Sequence, residues 1–306
     1  MTQGKAKDVA ASVRQRLLNE AHASGRPFNE LLQYFAMERF LYRLSESPHG
    51  ERFVLKGALM FAAWVGPRSR STKDIDLLGY VANDVERVMD VVRDICGQEV
   101  QSDGLAFDPA SVSGERIAEQ AEYEGVRVLF QGLLGTARLS MQVDVGFGDA
   151  VVPGPVTTEY PTILGLPAPR LRGYTRESVI AEKFHTMARF GLLNSRMRDF
   201  FDVWTLSRQF GFEGQVLAVA VQQTFARRGL EIPARPVALT MEFAEDVSKA
   251  RLWRAFLRKS RLRDAPEELV PVIDTIAGFL GPLAASLHEG RAFERQWSPP
   301  GPWSAP

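Results

Sequence analysis

Residues 74–81 read DIDLLGYV, a short run of apolar residues that opens with two acidic ones. The isoleucine and leucine residues predict a strand bounded by polar segments. Asp74 and Asp76 lie two residues apart, so both carboxylates project from the same face of that strand. The pattern therefore predicts a sheet with a pair of acidic side chains on one face.

Two further strands are predicted downstream, for VRVLFQGLL at residues 126–134 and RLSMQVDVGF at residues 138–147, with a turn at Gly135 between them. In the second of these, apolar residues alternate with polar ones, which is the period of two expected for a half-buried strand. Asp144 lies on the polar side of this alternation. We therefore expect a third carboxylate on the polar face of the same sheet.

Three carboxylates at one face of a sheet, here Asp74, Asp76 and Asp144, repel one another unless a cation neutralises them. Hard oxygen ligands suit Mg²⁺, which takes one or two carboxylates and leaves other positions to water and substrate phosphates. Two such ions would clamp the attacking and leaving oxygens of a displacement at phosphorus. The residues predict a Mg²⁺ site, with Mn²⁺ as the alternative ion. A structural interpretation stays open, in which the first two carboxylates cap a helix, pair with Arg68 or Arg70, or are solvated.

The segments that precede this strand are predicted as helices, a strand and a turn. In the first fifty residues, apolar side chains recur at helical spacing on both sides of a break at Gly25–Pro27. Residues 53–55 predict a short strand, Lys56 and Gly57 a turn, and the apolar run that follows a helix ending before Pro67.

Beyond the acidic pair, the pattern predicts a helix from Asp84 to about Ile95 and then a polar connection. The strand signals fade from about Pro161, within a connector rich in proline and glycine, and the later patterns are helical. We place a domain boundary near residue 165. The predicted parts are an α/β domain with N-terminal helices at 1–165, a helical domain completing the active site at 166–297, and a Pro-rich tail at 298–306.

The apolar run at residues 269–287 invites a membrane interpretation. It contains Pro271, Asp274 and Pro282, whereas a membrane span requires about 20 uninterrupted apolar residues. We interpret it as a buried helix pair or a broken core helix.

Two acidic residues and a lysine stand out in the helical half. Lys183 flanks an apolar helical stripe and would either reach water or hold a triphosphate as a point charge. Asp199 and Asp202 are three residues apart and are therefore neighbours on one helix face. They would orient Lys183 through an ion pair or contact substrate directly. His185 points elsewhere on the helix, and we interpret it as a core or surface histidine.

The composition narrows the classes of protein. The 306 residues include 37 basic and 37 acidic ones, so a globally basic nucleic-acid coat is excluded. The polar N-terminus lacks the apolar segment of a secretory signal. Cys96 is the single cysteine of the sequence, which excludes an internal disulfide and a cysteine metal site and favours the cytoplasm.

The ordered set of motifs resembles the AbiEii/AbiGii group of nucleotidyltransferases, which includes the MenT toxins of mycobacterial toxin–antitoxin pairs. The motifs are LKGALMFAAW, STKDIDLL, MQVDVGF, SVIAEKFHTMA and RDFFDVW, within residues 30 to 210. The resemblance implies an α+β fold, with a polymerase β-like nucleotidyltransferase core built on a mixed sheet and a helical C-terminal domain. It also implies Mg²⁺-dependent transfer of a nucleotide from an NTP substrate, an AbiEi-type antitoxin as partner, no membrane association and, for the MenT branch, the 3′ end of the tRNA acceptor stem as acceptor.

The resemblance also implies a role for each matching residue. Asp74 and Asp76 would hold the metal ions, and Asp144 would be the third carboxylate, binding one ion and helping to deprotonate the acceptor hydroxyl. Lys183 would contact the triphosphate, with Asp199 and then Asp202 as the acidic residues that follow it. The implied substrate-binding positions also include Lys56, Gly57, Thr72, Arg189, Arg196 and Arg198. Thr72 would bind phosphate or be a modification site that silences the toxin. The group usually has glycine or a hydroxyl residue after the Lys-Gly pair, where this chain has Ala58.

A neutral protein can still bind RNA through a local patch, because affinity depends on the phosphates neutralised at the interface. Residues 249–263 contain seven basic residues and no acidic one, and residues 168–208 contain eight basic against four acidic. In the first segment, Trp253 and Phe256 are more typical of a core-facing stripe, with the arginines on a solvated face.

Three functions are consistent with these residues. The first is a toxin that adds pyrimidine nucleotides to tRNA 3′ ends and so blocks aminoacylation and translation. The second is a nucleotidyltransferase that modifies a protein hydroxyl. The third is a nucleotide-binding regulatory module without catalytic activity.

Overall fold

A computed structural model describes residues 2–66, 72–119, 123–262 and 264–305 of the chain, and it describes their side chains except at 2–8, 118–119 and 123–124. Arg68 and Arg70 lie outside these residues. The chain divides into two units. The first consists of residues 1–148 and 156–173, and the second of residues 149–155 and 174–306. The chain passes from the first unit to the second for the last time between Gly173 and Tyr174, whereas the sequence predicted a boundary near residue 165.

Among the described residues, the first unit contains four α-helices and a mixed sheet. The helices are α1 (Thr2–Ser24), α2 (Phe28–Glu46), α3 (Gly57–Val65) and α4 (Val85–Gly97). The strands are β1 (Phe53–Lys56), β2 (Asp74–Gly79), β3 (Leu105–Glu119), β4 (Tyr123–Leu134), β5 (Ala137–Phe147), β6 (Val156–Glu159) and β7 (Arg170–Gly173). The predicted helix after Asp84 is confirmed, and the Asp84 carboxylate caps it by accepting a hydrogen bond from the backbone N–H of Arg87.

The seven strands form one sheet in the order β3-β4-β5-β2-β1-β7-β6. Strand β2 pairs with β5 in parallel and with β1 antiparallel, so the sheet is mixed, as expected. The buried faces of β2 and β5 are apolar, and helix α2 contributes fully buried side chains such as Phe35 and Phe40 to the core of this unit. The two central strands are thereby fixed with their acidic residues on the opposite face.

The polar connection predicted after Ile95 is wrong, because the structure has the long strand β3 there. Strand β3 lies at the edge of the sheet, it contains Pro109, and its pairing with β4 is irregular between Asp108 and Ser113. The Pro- and Gly-rich connector predicted at residues 152–169 likewise holds β6, and β7 follows directly after it; each of these strands is only four residues long. Edge strands carry charge, proline and irregular pairing, which hides them in a sequence pattern.

The second unit is mainly helical. Its helices are α5 (Arg176–Phe190), α6 (Met197–Gln209), α7 (Gly214–Arg227), α8 (Met241–Ala244), α9 (Val247–Ser260) and α10 (Val270–His288). Its strands are β8 (Phe212–Glu213), β9 (Gln296–Trp297) and β10 (Trp303–Ser304), which form a small antiparallel sheet. Helices α5 and α7 pack through fully buried aromatic side chains, with the rings of Phe184 and Phe225 5.2 Å apart.

The prediction of a helix pair or a broken helix at residues 269–287 is wrong, because helix α10 runs without interruption past Pro282. By length and composition alone it could cross a membrane, and it is the one such helix among the described residues. Phe279, Leu280 and Leu283, on both sides of the proline, are fully buried in the second unit. Burial of this apolar face stabilises the helix against the hydrogen bond lost at Pro282.

The C-terminal segment, predicted as a Pro-rich tail, packs on the second unit. The Trp303 ring stacks on Phe279 with ring centroids 5.5 Å apart, and its indole N–H donates to the Phe279 carbonyl oxygen at 2.7 Å. The Trp297 indole N–H donates to the Ser207 carbonyl oxygen at 2.6 Å. The segment has no core of its own but completes the aromatic core around α10.

Candidate active site

Strand β2 presents its acidic pair as the sequence predicts. Asp74 and Asp76 are partly exposed and alternate with the buried Ile75 and Leu77. The two carboxylates therefore share the polar face of the sheet. Thr72 lies just before the strand, where its backbone N–H donates to the Tyr34 hydroxyl at 3.0 Å.

One row across the sheet carries five charged residues. The strand register aligns Lys56 with Asp76, Asp76 with Asp144, Asp144 with Arg127, and Arg127 with Glu115. Residues aligned in this way on neighbouring strands are close and lie on one face. The two central carboxylates, which repel each other, are thus flanked by a cation on either side.

Arg127 binds Asp144 through two hydrogen bonds. Its Nε and Nη2 donate to the two carboxylate oxygens at 2.9 and 2.8 Å, and the Gln142 amide donates to the same oxygens at 3.1 Å. The hydrogen bond to Asp144 raises the pKa of Arg127. The pair was not predicted from the sequence, although the turn at Gly135 fixes the register of the two strands that contain it. Counting outward from the pair Leu134 and Ala137 places Arg127 opposite Asp144.

The turn at Lys56 and Gly57 is pressed against the Asp76 carboxylate. Gly57 has a φ of +68°, and a Cβ atom built there would lie 2.0 Å from Asp76 Oδ2. Gly57 is also the first residue of helix α3, where backbone N–H groups lack helical partners and favour negative charge. The glycine thus lets an acidic side chain sit at the start of a helix. Lys56, at the end of β1, is buried.

The acidic pair fits the predicted cation. Within the described ranges, no group of three or more Asp, Glu, His or Cys side chains is arranged to hold a metal ion. The third carboxylate, that of Asp144, is bound instead to Arg127. Mg²⁺ commonly binds one or two carboxylates together with substrate phosphates. Asp74 and Asp76 supply such a donor set on one face of β2.

Lys183 is held by two carboxylates in the second unit. Its Nζ lies 2.8 Å from Asp199 Oδ1 and 2.8 Å from Asp202 Oδ2. The Asp202 side chain is 1% exposed and the Lys183 side chain 16%. The neighbouring positions of the two acids on α6 allow both to reach the lysine from α5. The ion pair that the sequence suggested is therefore formed.

A second buried network in this unit was missed. The Tyr174 hydroxyl lies 3.2 Å from Asp149 Oδ2 and 3.2 Å from Glu182 Oε1, and Arg228 lies within 3.3 Å of both carboxylates. Burial, followed by the two carboxylates, raises the pKa of Tyr174, so the phenol stays protonated. The network ties residue 149 to α5 and α7. Its members lie far apart in sequence and form no motif, so the pattern gave no signal for it.

The remaining predicted positions differ in exposure. Arg198 is exposed, and the guanidinium groups of Arg189 and Arg196 lie within 6 Å of the Phe190 ring. His185 is 1% exposed, and neither ring nitrogen has a hydrogen-bond partner. Burial lowers the pKa of His185 to about 4, and the nearby Arg228 and Arg189 contribute. Of the two positions predicted for His185, in the core or on the surface, the structure has the core.

Comparison with known proteins identifies a family. Residues 39–277 match the family model described as the nucleotidyl transferase AbiEii toxin of a type IV toxin–antitoxin system. Two crystal structures from Helicobacter pylori, one described as a candidate nucleotidyltransferase and the other as JHP933, align with a TM-score of 0.46 at 15% identity. These alignments cover 86% of this chain and 96% and 93% of the other chains. No curated protein matches the chain at a significant level.

Proposed function

Because the chain belongs to the AbiEii family of nucleotidyltransferase toxins of type IV toxin–antitoxin systems, we propose that it transfers pyrimidine nucleotides from NTP to the 3′ end of tRNA. A nucleotide added there would block aminoacylation and stop translation in the cytoplasm. The family implies an antitoxin partner, which we propose to be of the AbiEi type. The resemblance seen in the ordered motifs is confirmed at the level of the family.

The observation that carries the proposal is the pair Asp74 and Asp76 on the polar face of β2, with the backbone of Gly57 against Asp76. We propose that this pair holds Mg²⁺, or Mn²⁺ in its place. A bound ion of this kind neutralises the charge of the triphosphate and of the leaving pyrophosphate. The acceptor 3′ hydroxyl oxygen would form a bond to the α-phosphorus, while the bond from that phosphorus to the pyrophosphate oxygen breaks.

Other side chains have supporting roles in the proposal. Lys183 would bind the triphosphate as a cation already positioned by Asp199 and Asp202. Lys56, Thr72 and the arginines 189, 196 and 198 remain proposed substrate contacts. Asp144 remains the proposed acceptor of the hydroxyl proton, and in this role it would exchange one of the hydrogen bonds that it accepts from Arg127 and Gln142.

The proposal is tested by incubating the purified chain with Mg²⁺, total tRNA and each of the four NTPs labelled at the α-phosphate. We expect label in RNA with CTP or UTP. Periodate oxidation of the tRNA destroys the 3′-terminal diol, and we expect it to abolish labelling. Asp76→Asn should reduce the rate by at least roughly 100-fold, since it removes one of the two carboxylates of the proposed Mg²⁺ site and so weakens the cation that stabilises the reacting phosphate.

Asp90→Asn is the matched control, because Asp90 is an exposed acid of the same unit with its side chain 57% accessible. It should transfer at the wild-type rate. Label in protein rather than RNA would contradict the tRNA proposal in favour of a protein acceptor. No transfer with any NTP and any acceptor would indicate a binding module without catalysis.

A further inference from the structure

Helix α9 carries a stripe of exposed arginines on a unit that is otherwise close to neutral. Arg251, Arg254 and Arg258 are exposed and spaced by three and four residues, so they lie on one face of the helix. Arg261 continues this spacing just past the helix end and is also exposed. None of the four forms an ion pair with an acidic residue of the described chain. Four like charges held in a row, without partners, favour an extended polyanion.

The opposite face of the same helix fixes the stripe in place. Trp253 is fully buried, and its indole N–H donates to the Pro266 carbonyl oxygen at 2.9 Å. Leu257 is buried below the arginines. Trp253 therefore belongs to the core, as the sequence favoured, and the half-buried Phe256 packs against its ring. The cations are thus presented on a rigid element.

A cavity of about 460 Å³ opens at the C-terminal end of the stripe. Its lining combines cations with apolar side chains, namely Arg254, Leu257, Arg258, Arg261, Leu262 and Ala265, together with Glu267. A cavity with arginines beside leucine and alanine suits a ligand that has both phosphates and the flat face of an aromatic ring, as a nucleotide unit has. Glu267 is acidic and opposes a phosphate.

Arg261 is held in an unfavourable backbone conformation. It has a φ of +54°, the one positive φ at a residue other than glycine in the described chain. It terminates α9 at a position where glycine is usual. Residues other than glycine in such a strained conformation often have a functional role.

We propose that this stripe and cavity, defined by Arg251, Arg254, Arg258 and Arg261, bind a strand of RNA through its phosphates. The inference rests on the proposed function and deepens it, since it locates where the unit holds an RNA acceptor. The phosphates lie along the stripe, and one nucleotide unit occupies the cavity against Leu257 and Leu262. The neutral total charge of the chain does not prevent RNA binding, because the affinity depends on the phosphates neutralised at the interface.

The test measures binding of fluorescein-labelled unfractionated tRNA by anisotropy, with the full chain and without NTP or Mg²⁺. Arg254→Gln combined with Arg258→Gln should weaken binding roughly tenfold and lower the slope of log affinity against log salt by about 2. Lys259→Gln is the matched control, since Lys259 is an exposed cation of the same helix that does not line the cavity. It should weaken binding less than Arg258→Gln alone. Glu267→Gln should strengthen binding.

Arg261→Gly separates binding from folding. Glycine adopts a positive φ without strain, so this variant should unfold at the same or a higher temperature than the wild type while binding tRNA more weakly. A variant that is more stable and yet binds less cannot owe its loss to misfolding.

The outcomes distinguish this inference from the proposed function. If the wild type labels no RNA but binds tRNA through these arginines, the inference stands and the proposed function fails. Unchanged binding in the double variant overturns the inference even where transfer occurs, as does an equal loss for Lys259→Gln and Arg258→Gln. Failure of the wild type to bind tRNA also overturns it, and arginine-dependent binding of poly-L-glutamate would then assign the stripe to an acidic protein.

Discussion

Gly57 combines a left-handed backbone with close approach to a carboxylate, and two substitutions separate these effects. In Gly57→Ala, the new methyl group would displace the Asp76 carboxylate, which lies 2.0 Å from its ideal position. We expect the rate of nucleotide transfer to fall at least about 100-fold, because small displacements in an active site are costly. The backbone strain alone costs about 1–2 kcal/mol.

The control is Gly25→Ala, at a residue with the same φ of +68° and no atom within 4 Å of the new methyl group. It should lose a similar amount of stability in urea unfolding and keep the wild-type transfer rate. Equal transfer by the two variants would contradict the assignment of Asp76 to the active site.

Lys183 raises the question of whether its ion pairs serve the fold or the reaction. Lys183→Met removes the cation that bridges Asp199 and Asp202, two nearly buried carboxylates. Breaking a buried ion pair in this way costs about 3–5 kcal/mol, so we expect lower stability as well as lost transfer. The measurement is urea unfolding in parallel with initial transfer rates.

The matched variant Lys183→Met, Asp199→Asn, Asp202→Asn removes all three charges together. It should recover most of the stability, because no charge is left buried alone, while transfer stays lost. Recovery of transfer in this variant would show that Lys183 acts only in folding.

At the scale of elements, the central strands and the helices could be predicted from the sequence because their patterns are strong. Strand β5 alternates cleanly, and β2 places its two aspartates on one face. Strand β3 could not be predicted, because its buried residues Leu105, Phe107 and Val112 are unevenly spaced and do not form a regular alternation. Pro109 and the irregular pairing after Asp108 weaken its pattern further.

The candidate site was predictable to a similar extent. The carboxylates and Lys183 could be found from residue type and spacing, because their chemistry is encoded locally. Which side chains bind these groups depends on strand register, as it does for Arg127, which binds Asp144. The network around Tyr174 depends on packing between segments distant in sequence, which no local pattern contains.

The small sheet at the C-terminus should contribute substantially to the stability of the second unit. Trp303→Ala removes the ring stacked on Phe279 and the indole N–H bond to its carbonyl oxygen. A buried tryptophan replaced by alanine typically costs 3–5 kcal/mol, and we expect a loss of this size in urea unfolding. Ser304→Ala, at an exposed residue of the same strand, should change stability by less than about 0.5 kcal/mol. A small effect for Trp303→Ala would mean that the segment is dispensable.

For the molecule as a whole, the neutral charge is a sum over unlike parts. The first unit has 19 basic and 21 acidic residues, and the second has 18 and 16, so the units carry formal charges of −2 and +2. Neither value is large. The strong asymmetry is local, in the stretch of seven basic residues that includes α9. Any electrostatic attraction of RNA therefore arises from a patch and not from a field around the whole chain.

The same division applies to the pH dependence of stability, and one buried group in each described unit illustrates it. In the second unit, burial lowers the pKa of His185 from 6.5 to about 4. Between these values the unfolded chain binds a proton that the folded chain does not, so stability rises with pH and is fully present above 6.5. In the first unit, burial raises the pKa of Glu38 from 4.5 to about 7, against the attraction of Arg39. Here the folded chain binds the extra proton, so stability is fully present below 4.5 and is lost as pH rises through 7.

The two contributions oppose each other between pH 4.5 and 6.5, and we expect wild-type stability to change little across this window. His185→Phe removes the first contribution and keeps a ring against Phe225, so its stability should fall as pH rises. Glu38→Gln removes the second, so its stability should increase with pH, by up to roughly 3 kcal/mol. Urea unfolding followed by circular dichroism at pH 4.5, 5.5 and 6.5 gives the three slopes. Identical slopes for the two variants would contradict both assignments, because the physical argument requires opposite signs.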